Sequence, residues 1–183
     1  MNAIDPLIFH KTRVVWARKH VYINGEYSED HGFLNVIQSC KMMDIPVITT
    51  GDVVDQEYFK SCFDEGWGAT LKKQTVRTRN DFYSLAKIYV CNISHEEASI
   101  SERLYDSPRD NLNMVEAMKC GCLILCSSLN KMAYSFPRDG FWVYDHHDLQ
   151  DFEEKLWYAY RQDRMVQENT SWWEIDWSSK IYL

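Results

Sequence analysis

The chain has 183 residues, of which 45% are hydrophobic and 14% aromatic, a composition that fits one globular core and excludes wholesale disorder and coiled coil. Its 20 basic and 27 acidic residues leave a formal net charge of −7, which argues against a general binder of phosphate backbones while leaving room for a local basic patch or for nucleic acid as a substrate. No apolar run approaches the roughly 18 residues that cross a bilayer, and the start, Met-Asn-Ala-Ile-Asp-Pro, lacks the layout of a signal peptide, so the sequence reads as soluble and cytoplasmic.

Short apolar runs alternate with stretches of helical spacing, which predicts strand-helix-strand units: a three-layer α/β sandwich, Rossmann-like, around a mostly parallel sheet. The first strand is predicted at Arg13 to Ala17, followed by a long, glycine-containing connection from His20 to Gly32. Phe33, Val36, Ile37, Cys40 and Met43 then recur at three- and four-residue steps and predict a helix. Ser28, Glu29 and Asp30 supply capping and dipole chemistry at its start, and Ile45-Pro46 stops it. Strands follow at Ile45 to Thr50, more weakly at Ala69 to Gln74, and at Lys87 to Asn92. The connection from Ser94 to Asn111 is unusually long and carries Glu96, Glu97, Glu102, Asp106, Arg109 and Asp110. A helix over Asn111 to Cys120 has Asp110 as its predicted N-cap and Gly121 as its stop. Strands at Cys122 to Ser127 and Phe141 to Tyr144 come next. Leu149, Phe152, Leu156, Trp157 and Tyr160 then mark an amphipathic helix entered through Asp145 to Asp148. Trp173 and Trp177 share a face of a closing helix over about 171–182, and no linker divides the single domain 1–183.

Six cysteines sit mostly inside apolar runs and are predicted to be free, buried thiols. Cys120, Cys122 and Cys126 with His146 and His147 lack metal-ligand spacing, so no metal site is predicted. There is no Gly-Lys-Ser/Thr phosphate loop, no Gly-x-Gly-x-x-Gly after the first strand and no Gly-x-Ser-x-Gly elbow. In an open parallel sheet ligands lie outside the carboxyl ends of the strands, where helix N-termini offer N–H groups to anions. Asn111, Leu112 and Asn113 are candidates for that role, as an alternative to an ordinary capped helix. Arg18 and Lys19 follow the first predicted strand, and Arg77 and Arg79 precede a helix around Asp81; each is either an anion contact or a surface residue.

Val115-Glu116-Ala117-Met118-Lys119-Cys120-Gly121-Cys122-Leu123-Ile124 resembles the Leu-Glu-Ala-Met-Ala-Cys-Gly-x-Pro-Val-Ile of the C-terminal, donor-binding domain of GT-B glycosyltransferases of the retaining group 1 family. Asp81 to Val90 with Ser94 and Glu97 is similar to the family's helix and strand ending in Ser-x-x-Glu, and Asp139-Gly140-Phe141-Trp142-Val143 with Asp148-Leu149 to its Asp-Gly-x-Asn-Gly-Leu-Leu. Val14 to Arg18 followed by Asp30-His31-Gly32-Phe33 resembles Gly-Arg followed by Glu-Lys-Gly, and Ser171-Trp172-Trp173-Glu174 resembles a closing Ser-Trp-Glu helix. The resemblance implies one half of a two-domain enzyme that uses a nucleoside-diphosphate sugar and no cofactor. It implies Glu97 as a catalytic acid, Glu116 on the ribose hydroxyls, and Asn111, Leu112, Asn113, Arg18 and Lys19 on the diphosphate. Arg109 joins these donor contacts or a docking surface. Pro108 stands where the family has an acidic residue and His31 where it has lysine. The implied partner is an acceptor-domain chain or a second copy. The alternative is a degenerate, non-catalytic module that binds a nucleotide or a protein.

Overall fold

The computed structural model describes residues 18–72, 75–92, 108–134 and 140–162. Six strands, β1 (His20–Tyr27), β2 (Val47–Val53), β3 (Ala69–Lys72), β4 (Ala86–Cys91), β5 (Leu123–Ser127) and β6 (Phe141–Tyr144), form one sheet in the order β3-β2-β1-β4-β5-β6. Every pairing is parallel, with Val21 opposite Val47, Tyr22 opposite Tyr89, and Cys91 opposite Cys126. The helices are α1 (Phe33–Met42), α2 (Gln56–Asp64), α3 (Val76–Leu85), α4 (Pro108–Lys119) and α5 (Leu149–Arg161). Right-handed crossovers place α1 and α2 on one face. Tyr58 of α2 accepts from the Leu34 N–H of α1 at 2.9 Å, and Ser39 of α1 donates to Glu153 of α5 at 2.8 Å, so α5 joins them. The chain then reverses direction across the sheet, which carries α3 and α4 to the opposite face and completes the three-layer α/β sandwich.

The central strand is where the sequence reading is corrected. His20 to Tyr27, read as part of a connection, is β1, and Val21, Tyr22, Ile23 and Tyr27 are its fully buried anchors. Asn24-Gly25 looks like a turn in sequence, yet a strand flanked by helices on both sides is buried on both faces and need not alternate. Here Asn24 is satisfied by Thr50 of the neighbouring strand, whose hydroxyl donates to its side-chain oxygen at 3.0 Å. The strand predicted at Arg13 to Ala17, the closing helix at 171–182 and most of the Ser94 to Asp110 connection lie outside the described residues.

Other boundaries moved for local reasons. Helix α1 ends before Pro46, because Asp44 takes a left-handed φ of 57° and the Ile45 N–H returns to the Cys40 carbonyl at 2.8 Å. Helix α2, which the sequence reading did not anticipate, buries Cys62 and packs Tyr58 and Phe59 half-buried against the core; its N-terminal signal is Asp55, which accepts from the N–H groups of Glu57 and Tyr58. Asp148, the last residue of the Asp145 to Asp148 entry, caps α5 and accepts from Asp151 N–H at 3.1 Å. All six cysteines are free and buried, and among the described residues no helix is long and apolar enough to cross a membrane.

Because β1 starts at His20, Arg18 and Lys19 lie at its amino end, opposite the carboxyl ends to which they had been assigned. Arg18 is buried and donates to the carbonyls of Tyr83 and Ala86 at 3.3 and 3.5 Å, tying β1 to the junction of α3 and β4. Lys19 is exposed, and its carbonyl accepts from the Tyr160 hydroxyl at 3.0 Å. Replacing Arg18 with methionine removes two hydrogen bonds of a charged donor and leaves the Tyr83 and Ala86 carbonyls to weaker contacts such as the Cys122 thiol. We expect a loss of about 1.5–3 kcal/mol, read as a lower urea midpoint at an unchanged slope.

Candidate functional site

Helix α4 opens at Pro108, whose missing N–H costs nothing in a first turn, with Asp110 favourably placed beside the positive end of the dipole. It closes at Gly121, which has a φ of 83°, where the N–H groups of Gly121 and Cys122 return to the Met118 and Ala117 carbonyls. This start lies three residues earlier than the sequence reading placed it, and Asp110 is a first-turn residue rather than the cap. The first turn of α4 therefore holds Arg109 and Asp110, with Asn111 at its edge. Leu112 and Asn113 fall inside the helical ladder, so their backbone groups are spent on it.

Glu116 consequently sits in the third turn rather than the first two. Its side chain, 3% exposed, faces α3. Thr75 caps α3, accepting from the Thr78 N–H, so Arg79 is in the first turn of that helix rather than ahead of it. Arg79 and Tyr83 are four residues apart and share the face turned to α4. Arg79 Nη2 lies 3.2 Å from Glu116 Oε1, and the Tyr83 hydroxyl shares its proton between Glu116 Oε2 at 3.3 Å and the Asn113 carbonyl at 3.2 Å. Burial raises the Glu116 pKa from 4.5 to about 7, against the opposing charge of Arg79 and the hydrogen bonds from Tyr83 and Arg79. Two donors on the same pair of helices, Arg79 Nε and Asn113 Nδ2, are buried without a hydrogen-bond acceptor. Each such donor carries a desolvation cost of about 1–3 kcal/mol.

The cluster continues onto the sheet. The Tyr22 ring meets Tyr83 edge-on at 5.2 Å, and its hydroxyl lies 2.9 Å from Thr50 Oγ1, which in turn donates to Asn24. Burial raises the Tyr22 pKa, so the phenol stays protonated and serves as the donor in that relay. Strand alternation carries Glu26 and Asp52, paired in register, to the same face one step nearer the carboxyl ends. Since β1 is the strand that leads into Asp30-His31-Gly32-Phe33, the Gly-Arg of the resemblance falls on Gly25-Glu26, and a carboxylate stands in the place of the arginine.

The strands β1 and β4 mark the point where the chain reverses, and a cradle closes over their ends on the other face. Asn92 donates to the His31 carbonyl at 2.7 Å and accepts from the Tyr144 hydroxyl at 2.7 Å. Gly32, at a φ of 62°, starts α1 so close to this clamp that a Cβ would lie 2.9 Å from Asn92 Nδ2. His31 Nδ1 is 2.9 Å from the Ser28 hydroxyl.

Of the residues picked out in sequence, Glu116, Asn111, Asn113 and Arg79 come together on the α3–α4 side, Leu112 is half-buried in α4, and Arg18 and Lys19 do not join them. Arg109 lies in the first turn of α4, and its side chain, like Glu97 as a whole, is outside the described residues. The sequence reading missed Tyr83, for which the four-residue step from Arg79 was an available signal, and Asn24, which the turn-like Asn-Gly disguised.

Neither a protein-family model nor a curated relative matches the sequence. Several solved structures are similar to the chain. HepE from Anabaena, in complex with UDP and glucose, is 14% identical over 88% of this chain and 46% of its own, with a TM-score of 0.65. The catalytic domain of cholesterol-α-glucosyltransferase from Helicobacter pylori is 16% identical over 77% and 85%, with a TM-score of 0.58. The catalytic domain of starch synthase IV from Arabidopsis thaliana, bound to ADP and acarbose, is 12% identical over 96% and 38%, with a TM-score of 0.58. The chain thus spans less than half of two of these proteins. At such identities the likeness is one of fold, and the fold is that of one Rossmann-like half of a GT-B glycosyltransferase.

The raised pKa of Glu116 gives a signed expectation. A carboxyl with a folded pKa near 7 and an unfolded value near 4.5 binds more protons in the native state between these values, so its contribution to stability is full below about pH 4.5 and falls until about pH 7. Glu116→Gln removes this titration. Relative to the unmodified chain, the variant should gain about 2–3 kcal/mol between pH 5 and pH 8 in urea unfolding; a pH-independent difference would contradict the assignment.

Proposed function

We propose that this half-domain binds a nucleoside diphosphate or its sugar conjugate at the carboxyl ends of β1 and β4, as the donor half of a glycosyltransferase. The observation that carries the reading is the buried set on α3 and α4: an acceptor, Glu116, flanked by the unmatched donors Arg79 Nε and Asn113 Nδ2. A carboxylate accepts hydrogen bonds from two vicinal hydroxyls, the pattern that a ribose presents, and the two donors suit oxygen acceptors on the same ligand. The fold supports the reading, since HepE and starch synthase IV are described with UDP and ADP bound. In this role Glu116 and Arg79 bind and orient the nucleotide, the start of α4 turns its positive dipole end to the phosphates, and Tyr83 fixes the carboxylate from beneath. Glu97 remains the proposed acid beside the transferred sugar. A complete cleft then requires a second body over the strand ends, supplied by an acceptor-domain chain or a second copy, because water must be excluded from the leaving diphosphate.

A second reading, a non-catalytic nucleotide- or protein-binding module, is favoured by one specific observation. Glu26 and Asp52 stand paired at the strand ends, and His31 and Pro108 depart from the charged positions of the resemblance. Carboxylates at the strand ends weaken the hold on a diphosphate.

Calorimetric titration with UDP, GDP and ADP separates binding from its absence, and a donor-hydrolysis assay then separates the two readings. Glu116→Ala should weaken nucleotide affinity about ten- to hundredfold, the equivalent of 1.5–3 kcal/mol in lost hydrogen bonds to a charged partner. Affinity for ribose-containing ligands should also rise from pH 6 to pH 8 as Glu116 loses its proton. An unchanged affinity in folded Glu116→Ala would remove the carboxylate from the site.

A further inference from the structure

A surface cavity of about 220 Å³ lies on the opposite face of the sheet from Glu116, between the first turns of α1 and α5 and over the ends of β4 and β6. Its apolar wall is Val36, Leu149 and Phe152 with the ring of Tyr144; its polar side is Asn35, Asn92, His146, His147 and the carboxylate of Asp148. We propose that this cavity binds a single neutral polyhydroxylated ring, the size and chemistry of one monosaccharide unit.

The lining decides the class of ligand. Among the described residues no lysine or arginine borders the cavity and one carboxylate does, so the described lining offers an anion no fixed positive charge. A purely apolar ligand would desolvate two amides and two imidazoles without replacing their hydrogen bonds. A pyranose satisfies both sides at once, with its C–H face on Phe152 and Tyr144 and its hydroxyls among groups that donate and accept. The volume falls below the 300–1,000 Å³ common for larger ligands, which limits the occupant to about one ring. The frame is built rather than incidental. Asn92 is clamped between the His31 carbonyl and the Tyr144 hydroxyl, both at 2.7 Å, and Ser127 Oγ holds His146 through Nδ1 at 3.1 Å. The Phe152 ring is fixed edge-on against Tyr144 at 5.0 Å. Amide and aromatic groups thus keep their geometry before any ligand arrives, which lowers the entropy cost of binding.

This inference goes beyond the nucleotide reading, because it uses the other face of the sheet and none of the α3–α4 residues. The experiment is an amide NMR titration of the full chain with glucose, galactose and N-acetylglucosamine up to about 50 mM. Saturable shifts at Gly32, Asn35, Asn92 and His147 are expected with at least one of the sugars. Asn35 and His147 are exposed, so Asn35→Trp, which fills the cavity, and His147→Ala are expected to fold normally. Each should weaken the response about tenfold or more. Glu116→Ala should leave it intact, and so should saturating UDP, which keeps this result separate from success or failure of nucleotide binding. The proposal is overturned by an absence of saturable shifts across the three sugars, by a response that survives Asn35→Trp, by competition from UDP, or by acetate or phosphate producing the same shifts more strongly than any sugar.

Discussion

The burial of β1 on both faces is the constraint from which the rest of the molecule follows. Paired with β2 on one side and β4 on the other, it sits at the position where the chain reverses direction. Helices must cover both faces of such a strand, and they do so in two sets that arrive from opposite sides. Tyr22 and Asn24 point to the α3–α4 layer, while Ile23, Gly25 and Tyr27 belong to the α1–α2 layer, where Tyr27 packs on Phe33 and Phe59. One strand therefore packs against both helix layers.

On the α3–α4 side, that floor is unusually polar for a buried layer. A carboxylate with a near-neutral pKa, a guanidinium, three tyrosines and two orphaned donors are packed where apolar residues would stabilise the domain better. The contact between Arg79 and Glu116 does not offset the burial cost, as the upward shift of the glutamate shows, since a dominant ion pair would drive its pKa down. The opposite side is built differently, with neutral amides, imidazoles and aromatic rings held by short hydrogen bonds at Asn92 and Tyr144. The charged site and the neutral one are separated by the thickness of the sheet.

The acidity of the strand ends sets the terms for any phosphate-bearing ligand. Glu26 lies where the resemblance carries arginine and His31 where it carries lysine, so attraction must come from Arg79 and the start of α4 rather than from a basic cradle. On the proposed reading, a diphosphate is held more weakly, with more sensitivity to pH and more dependence on Glu116, than in a basic site.

The sequence by itself determined the fold class, five of the six described strands and the course of α1, α4 and α5. Short apolar runs and three- and four-residue spacing are local patterns, and burial against a sheet imposes them locally. It also determined Glu116 as a candidate, through the Glu-Ala-Met segment and the Gly121 stop that follows it. Tertiary structure alone decided the rest. The central strand was hidden because a doubly buried strand tolerates Asn24-Gly25 once Thr50 satisfies the amide, and that partner is 26 residues away. The loss of Arg18 from the site followed from the same shift, since moving the strand reverses the end of the sheet on which its flanking residues fall. Arg79, Tyr83 and Glu116 were separately visible, but their meeting required α3 and α4 to pack side by side. No periodicity within either helix encodes that packing, because it comes from the order in which the strands assemble.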